Sequence, residues 1–295
     1  MKSGFIGIIG RPNVGKSTLI NSIVGEKIAI TSNKPGTTRN LIQGIYTTDD
    51  VQMVFVDTPG IHNPTNKLEN KLNDQAYYSI DDVDVLVLVM DVREKLGTGD
   101  AFVLNKIKTV DKPVILVLNK IDTITKEELL TIIDKYKSIY SFAEIVPISA
   151  LKNNNVNVLL KVLEEYLPDN VKYFNDDDVT SSSIEFRICE CVREKILRLT
   201  KDEVPYSVTC VLNNYEDGKD ICSIYVDIIV DRESIKKIII GKQGLKLKEI
   251  GTKAREDLER ILDKKVYLEL YVKTLKKWRD KDKLLNELGF NEISE

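Results

Sequence analysis

The chain has 295 residues, 42% of them hydrophobic, with 43 Lys or Arg against 46 Asp or Glu and a formal net charge of −3. That length suits one large or two ordinary domains, and the apolar content is enough for real cores. The charge selects no partner by itself, and no apolar run approaches the roughly 20 residues of a bilayer-spanning helix.

The start, Met1-Lys2-Ser3-Gly4-Phe5, runs straight into a strand pattern without a signal peptide, and no lipidation motif closes the C-terminus. Cys189, Cys191, Cys210 and Cys222 form no C-x-x-C pair and read as reduced core thiols. A soluble cytoplasmic protein is the expectation.

Strands are predicted near 4–9, 41–48, 51–57, 84–90, 113–118 and 144–148, and helices near 16–24, 66–80, 100–108, 126–138 and 155–166. The alternation predicts an α/β domain, a mainly parallel sheet with helices on both faces. Thr48-Asp49-Asp50 is a hairpin-length link, so one strand pair is antiparallel.

After the first strand comes Gly10-Arg11-Pro12-Asn13-Val14-Gly15-Lys16-Ser17-Thr18, which fits G-x-x-x-x-G-K-[ST] between a strand and a helix. Its glycines let backbone N–H groups wrap phosphates, and the helix N-terminus adds partial positive charge. Lys16 is placed to reach the β- and γ-phosphates, and the Ser17 hydroxyl to bind Mg²⁺. Asp57-Thr58-Pro59-Gly60 ends the third strand; Asp57 is placed to hold Mg²⁺ and the Gly60 N–H to sense the γ-phosphate, with Ile61 following.

Asn119-Lys120-Ile121-Asp122 ends the fifth strand. The two carboxylate oxygens of Asp122 suit the N1–H and N2–H₂ donors of guanine. Adenine lacks that pair and would leave the carboxylate unpaired, at about 1–3 kcal/mol or more. Asn119 would tie this loop to the phosphate loop, and the Lys120 stem can lie along the base. Ser149-Ala150 ends the sixth strand and is expected to offer a backbone N–H to guanine O6. Each motif alone is weak; all of them in order, at the carboxyl ends of predicted strands, point to GTP and GDP as ligands.

Leu167-Pro168-Asp169 stops a helix, and Asn175-Asp176-Asp177-Asp178 reads as a linker. The expected division is a nucleotide domain over 1–170, a linker over 171–183 and a second domain over 184–295, with Ser182 and Glu185 as a capping box. Beyond it, a helix is predicted over 184–199, strands over 206–212 and 222–230 joined through a turn at Tyr215-Glu216-Asp217-Gly218, and a helix over 234–240. Gly241-Lys242-Gln243-Gly244 breaks that helix, and a helix over 245–262 and a strand over 266–272 follow.

A G-x-x-G loop between two helices in this order predicts an α+β KH domain of type II order. Two glycines let the backbone approach a sugar–phosphate chain, with the bases in a neighbouring apolar groove. Residues 236–279 hold 14 Lys or Arg against 6 Asp or Glu, which favours nucleic acid, and the groove favours single-stranded RNA. Ile240, Gly241, Lys242, Gln243, Gly244, Lys246 and Lys248 are the candidate RNA contacts.

With Thr37-Thr38-Arg39 added to these motifs, and a tail carrying Trp278 and Leu288-Gly289-Phe290, the whole chain resembles the Era family of GTPases. The resemblance implies an RNA-binding GTPase acting near the 3′ end of small-subunit (16S) ribosomal RNA, in 30S subunit assembly, and a cytoplasmic protein with peripheral contact to the cell membrane. A monomer is the default expectation. It implies Mg²⁺ on Ser17 and a switch threonine, for which Thr37 and Thr38 are both candidates and Thr38 is preferred, beside the Asp57 already placed there by its motif. Lys16, Thr38 and Gly60 are the expected catalytic residues. Asn13 makes K⁺ a candidate second cation. Ras-like enzymes place a Gln where Ile61 stands here, so slow intrinsic turnover is expected.

His62, the only histidine, reads as solvent-facing in a loop rather than catalytic. Tyr77, Tyr78, Tyr136, Tyr140 and Tyr166 read as packing residues, and Trp278 as either a stacking platform or an anchor for the tail. The alternative function is an RNA-binding module in which nucleotide is only structural.

Overall fold

The computed structural model describes residues 1–290 except 33, 35, 61–63, 96, 202 and 203. The chain divides into two compact units. One is Met1–Ala29 with Thr38–Pro64 and Leu72–Ser181; the other is Ile30–Thr37 with Thr65–Lys71 and Ser182–Glu295. Among the described residues no helix is long and apolar enough to cross a membrane.

The first unit runs β1 (Lys2–Ile9), α1 (Lys16–Val24), β2 (Ile42–Thr47), β3 (Val51–Asp57), α2 (Lys67–Asp81), whose first turns belong to the second unit, then β4 (Val85–Asp91), α3 (Thr98–Ile107), β5 (Val114–Asn119), α4 (Lys126–Lys137), β6 (Glu144–Pro147) and α5 (Val156–Tyr166). The strand order is β2-β3-β1-β4-β5-β6, parallel except for the antiparallel β2–β3 pair. Every residue of β3, β4 and β5 is buried, and their apolar runs Met53–Val56, Val85–Met90 and Val114–Leu118 are what a sheet covered on both faces requires. The chain leaves β1 toward β3 and then returns to β4 on the other side. Strand order thus reverses at β1, where open α/β sheets place their ligands.

The second unit runs α6 (Ile184–Leu199), α7 (Val204–Ser207), β7 (Val208–Asp217), β8 (Ile221–Val230), α8 (Glu233–Ile240), α9 (Leu245–Leu262), β9 (Lys265–Thr274) and α10 (Asp282–Glu287). β7 and β8 are antiparallel, and β8 and β9 parallel. Ile188, Val192 and Ile196 of α6 and Ile250, Ala254 and Leu258 of α9 share one core with Ile224, Val226 and Ile228 of β8.

Several boundaries differ from the sequence expectation. α6 is capped by Ser183, whose hydroxyl accepts from the Phe186 N–H at 3.3 Å, and not by Ser182. β7 starts at Val208 because residues 204–207 form a helical turn, and it runs on to Asp217 across a bulge between Leu212 and Asn214. Tyr215, Glu216 and Asp217 therefore pair with Ile224, Ser223 and Cys222, and the hairpin reverses after them. Cys191 and Cys222 are buried, whereas Cys189 and Cys210 are only half-buried. Tyr136 is buried, but Tyr78 is half in solvent.

Candidate active site and nucleic-acid interface

The loop after β1 is shaped by three left-handed residues, Gly10, Asn13 and Gly15. A Cβ on Gly10 would stand 2.4 Å from the Val89 carbonyl oxygen, and one on Gly15 would stand 2.3 Å from Asn119 Nδ2. Left-handed residues alternating with ordinary ones turn successive N–H groups to one side, an anion-binding nest, and α1 begins at once at Lys16. Lys16 is buried; its ammonium donates to the carbonyl oxygens of Gly10 (3.0 Å) and Arg11 (3.1 Å). Burial lowers its pKa to about 8, against the opposing pull of Asp57. Val14 packs its side chain inward, while Pro12 and Thr18 are half-buried and Asn13 is exposed. The Arg11 guanidinium pairs with Asp100 (3.0 Å) and Glu94 (2.9 Å).

Ser17, Thr38 and Asp57 come together. Ser17 Oγ donates to Asp57 Oδ2 at 2.7 Å and lies 3.0 Å from Thr38 Oγ1, which in turn is 3.4 Å from Asp57 Oδ2. Thr37 Oγ1 instead donates to the Lys34 carbonyl at 2.6 Å and lies 2.8 Å from Ser32 Oγ. Burial pushes the Asp57 carboxyl up, against Lys16, Ser17 and Thr38, and its Oδ1 is buried with no hydrogen-bond partner. An orphaned carboxylate oxygen beside two hydroxyls is an all-oxygen donor set suited to a hard cation, so the residues present fit Mg²⁺. Thr58 anchors the strand end by donating to the Ile8 carbonyl at 2.9 Å, and Pro59 is buried. A Cβ on Gly60 would be 2.8 Å from Pro12 N, so here two backbones pass in contact. Ile61 and His62 lie outside the described residues.

Asn119 joins three loops. Its Nδ2 donates to the Val14 carbonyl (2.8 Å), and its Oδ1 accepts from the N–H groups of Lys120 (2.8 Å) and Ala150 (3.0 Å). The Ser149 N–H donates to the Asn154 carbonyl at 3.0 Å, so both amides of the pair, of which one is expected to face guanine O6, are engaged in bracing the loop. Asp122 sits exposed on a short 3₁₀ turn over Ile121–Thr123. Lys120, in the left-handed region, extends its ammonium to Asn13 O and to Asp91. Asp91 belongs to no sequence motif; its one signal in the sequence is an Asp closing the apolar run Val85–Met90 at the same sheet edge as the motifs.

In the second unit Gly241 has φ 70° and ψ −178°, and a Cβ there would lie 2.6 Å from Lys246 Cβ. Gln243 and Gly244 are also left-handed, which brings α8 and α9 together across a very short loop. Lys242, Gln243 and Lys248 are exposed, Ile240 is half-buried, and Lys246 pairs with Glu249 at 3.0 Å. Trp278 is fully buried, so it anchors the tail: its indole N–H donates to the Ser207 carbonyl at 3.2 Å, and its ring stacks on Phe290.

Two family models match, one described as a 50S ribosome-binding GTPase over residues 5–120 and the other as a KH domain over residues 203–279. The GTPase Era of Clostridium kluyveri is 49% identical over 291 residues, covering 98% of this chain and 99% of that protein. The crystal structure of a point variant of Aquifex aeolicus Era bound to GDP and AlF4⁻ superposes with a TM-score of 0.95 at 40% identity, covering 98% of this chain and 99% of the other. A crystal structure of Era in complex with MgGDPNP and nucleotides 1506–1542 of 16S ribosomal RNA superposes with a TM-score of 0.96 at 41% identity and the same coverage.

Proposed function

The chain belongs to the Era family of GTPases, and from that premise we propose that it hydrolyses GTP to GDP and phosphate and acts as a nucleotide-dependent switch on small-subunit ribosomal RNA near its 3′ end, in assembly of the 30S subunit. The observation that carries the reading is the meeting of Ser17, Thr38 and Asp57 beside buried Lys16.

The nest over residues 10–15 and the N-terminus of α1 receive the phosphates. Lys16 exchanges two backbone carbonyls for β- and γ-phosphate oxygens, and its ammonium offsets the charge that spreads over the transferring group. Ser17, Thr38 and Asp57 would hold Mg²⁺, which supplies positive charge to those oxygens when bound. Asp122 accepts from the guanine edge while Asn119 and Lys120 hold its loop to the phosphate loop. Water attacks the γ-phosphate in line. The residue after Gly60 is Ile61, whose side chain has no hydrogen-bonding group to orient that water, so intrinsic turnover is slow and is raised by bound RNA or by K⁺ near Asn13.

At the Gly241–Gly244 loop, backbone contact and Lys242 take the sugar–phosphate chain, and the bases lie in the adjoining groove. Thr38 ties the switch to the γ-phosphate site, so loss of that phosphate releases the switch segment. The test is affinity for RNA matching the 3′ end of small-subunit ribosomal RNA, first with a non-hydrolysable GTP analogue and then with GDP. Tighter binding with the analogue supports the switch, equal binding removes it, and absence of GTP turnover would leave nucleotide a structural role.

A further inference from the structure

The outer face of the three-stranded sheet carries tyrosines that the mechanism above leaves unused. Along β9, Val266, Leu268, Leu270 and Val272 point into the core, so Lys265, Tyr267, Glu269, Tyr271 and Lys273 share the opposite face. Tyr267 is 50% exposed and Tyr271 58%. Tyr225 of β8 sets its ring edge-on to Tyr267, with centroids 6.0 Å apart. Tyrosine suits strands on propensity alone, but propensity does not gather cations around one ring. Lys236 Nζ lies 5.8 Å and Lys273 Nζ 5.7 Å from the Tyr271 centroid.

The acids of this face are already engaged. Asp227 accepts from Lys273 at 2.5 Å, and Glu269 accepts from the Tyr267 hydroxyl at 3.1 Å. What the face offers is ring surface with the Lys236 ammonium beside it and the Lys273 ammonium shared with Asp227, so the rings take bases and Lys236 is the cation placed to take a phosphate. Interspersed charges make it a poor apolar seat for a lipid surface. Lys236 belongs to α8, which ends at Gly241, so the cation over Tyr271 sits on the helix that leads into the G-x-x-G loop.

We propose that Tyr267 and Tyr271, with Lys236 and Lys273, form a second platform for single-stranded RNA, stacking bases beyond those held at Gly241–Gly244. The proposal rests on the reading of this unit as RNA-binding. The two tyrosines are four residues apart, about 13 Å along the strand, so each ring takes its own base.

The test uses the full chain with the GTP analogue and RNA corresponding to nucleotides 1506–1542, together with versions shortened stepwise from either end. Tyr267→Thr with Tyr271→Thr removes both rings and keeps strand propensity; Tyr267→Phe with Tyr271→Phe keeps the rings. The expected result is tenfold or greater loss of affinity for the longest RNA in the Thr pair, recovery in the Phe pair, and equal affinity of all three proteins for the shortest RNA that still binds. Unchanged melting temperatures exclude a folding cause. Undiminished binding of the longest RNA by a folded Thr pair would overturn the platform and leave the face to a protein partner. Absence of binding by the unaltered chain, lost platform or not, would instead overturn the RNA-binding reading itself.

Discussion

Lys120 Nζ lies 2.6 Å from Asp91 Oδ2 and 2.8 Å from the Asn13 carbonyl oxygen, so one ammonium joins the base-reading loop, the end of β4 and the phosphate loop. Arg93 also donates to both Asp91 oxygens. Burial alone would raise the Asp91 carboxyl, yet the hydrogen bonds from Arg93 and Lys120 hold it down to about 2. A depressed carboxyl contributes stability above its ordinary pKa and loses it as pH falls through the folded value. Asp91→Asn should therefore remove an acid-limb loss of up to about 2 kcal/mol between pH 4 and pH 2, seen by urea unfolding, and weaken GDP binding about tenfold at neutral pH. Superimposable acid profiles for the two proteins would show that Asp91 carries no such linkage.

Gly15 and Asn119 are in contact in a way that tolerates no side chain. With φ 103° and a would-be Cβ at 2.3 Å from Asn119 Nδ2, Gly15→Ala must dislodge Asn119 from the Val14 carbonyl. GDP affinity should fall at least a hundredfold, because the phosphate loop and the base loop lose their tie together. Gly25, at φ 79° with no atom within 4 Å of a would-be Cβ, is the control. Gly25→Ala should cost about 1–2 kcal/mol of backbone strain and leave GDP binding intact. Titration with a fluorescent GDP alongside thermal melts separates the two outcomes.

What the sequence made legible was whatever local chemistry dictates. β3, β4 and β5 stand out because the apolar runs Met53–Val56, Val85–Met90 and Val114–Leu118 are what a strand buried on both faces requires, and two of the nucleotide motifs, at Asp57 and Asn119, end such a run. Asp91 ends one too, but a single Asp has no spacing to mark it; its role depends on Lys120, distant in sequence. Ser182 and Ser183 present the same chemistry, and only the true start of α6 decides which hydroxyl meets an N–H. The extension of β7 depends on a bulge, which re-pairs Tyr215–Asp217 that otherwise read as a turn. The tyrosines of β9 follow an alternation visible in the sequence, but Lys236 reaches them from another element.

Arg193 is 1% exposed and is held by Glu190 at 2.6 Å and by the carbonyl oxygens of Gly36, at 3.4 Å, and Thr37. Removing only the cation strands a nearly buried carboxylate. Arg193→Met should cost about 3–5 kcal/mol in urea unfolding. Adding Glu190→Leu should recover most of that loss, since both desolvated charges are then gone. If the double variant is no more stable than Arg193→Met, the contacts to Gly36 and Thr37 carry the energy instead of the ion pair.

Trp278 lies between Lys277 and Arg279, flanks that suit a stacking residue in solvent, yet its ring is fully buried. It donates to the Ser207 carbonyl and stacks on Phe290 at 6.0 Å, fastening the tail to the second unit. A buried indole that cannot reach solvent cannot stack on RNA, so its loss must appear in stability. Trp278→Ala should cost about 3–5 kcal/mol. Trp278→Phe keeps most of the packing and should leave RNA affinity unchanged. A cycle with Phe290→Ala should return a coupling of about 0.5–1.5 kcal/mol for the stacked pair. A Trp278→Phe protein with native stability and tenfold weaker RNA binding would contradict the anchor, because only a ring that turns outward to meet the nucleic acid could produce that pattern.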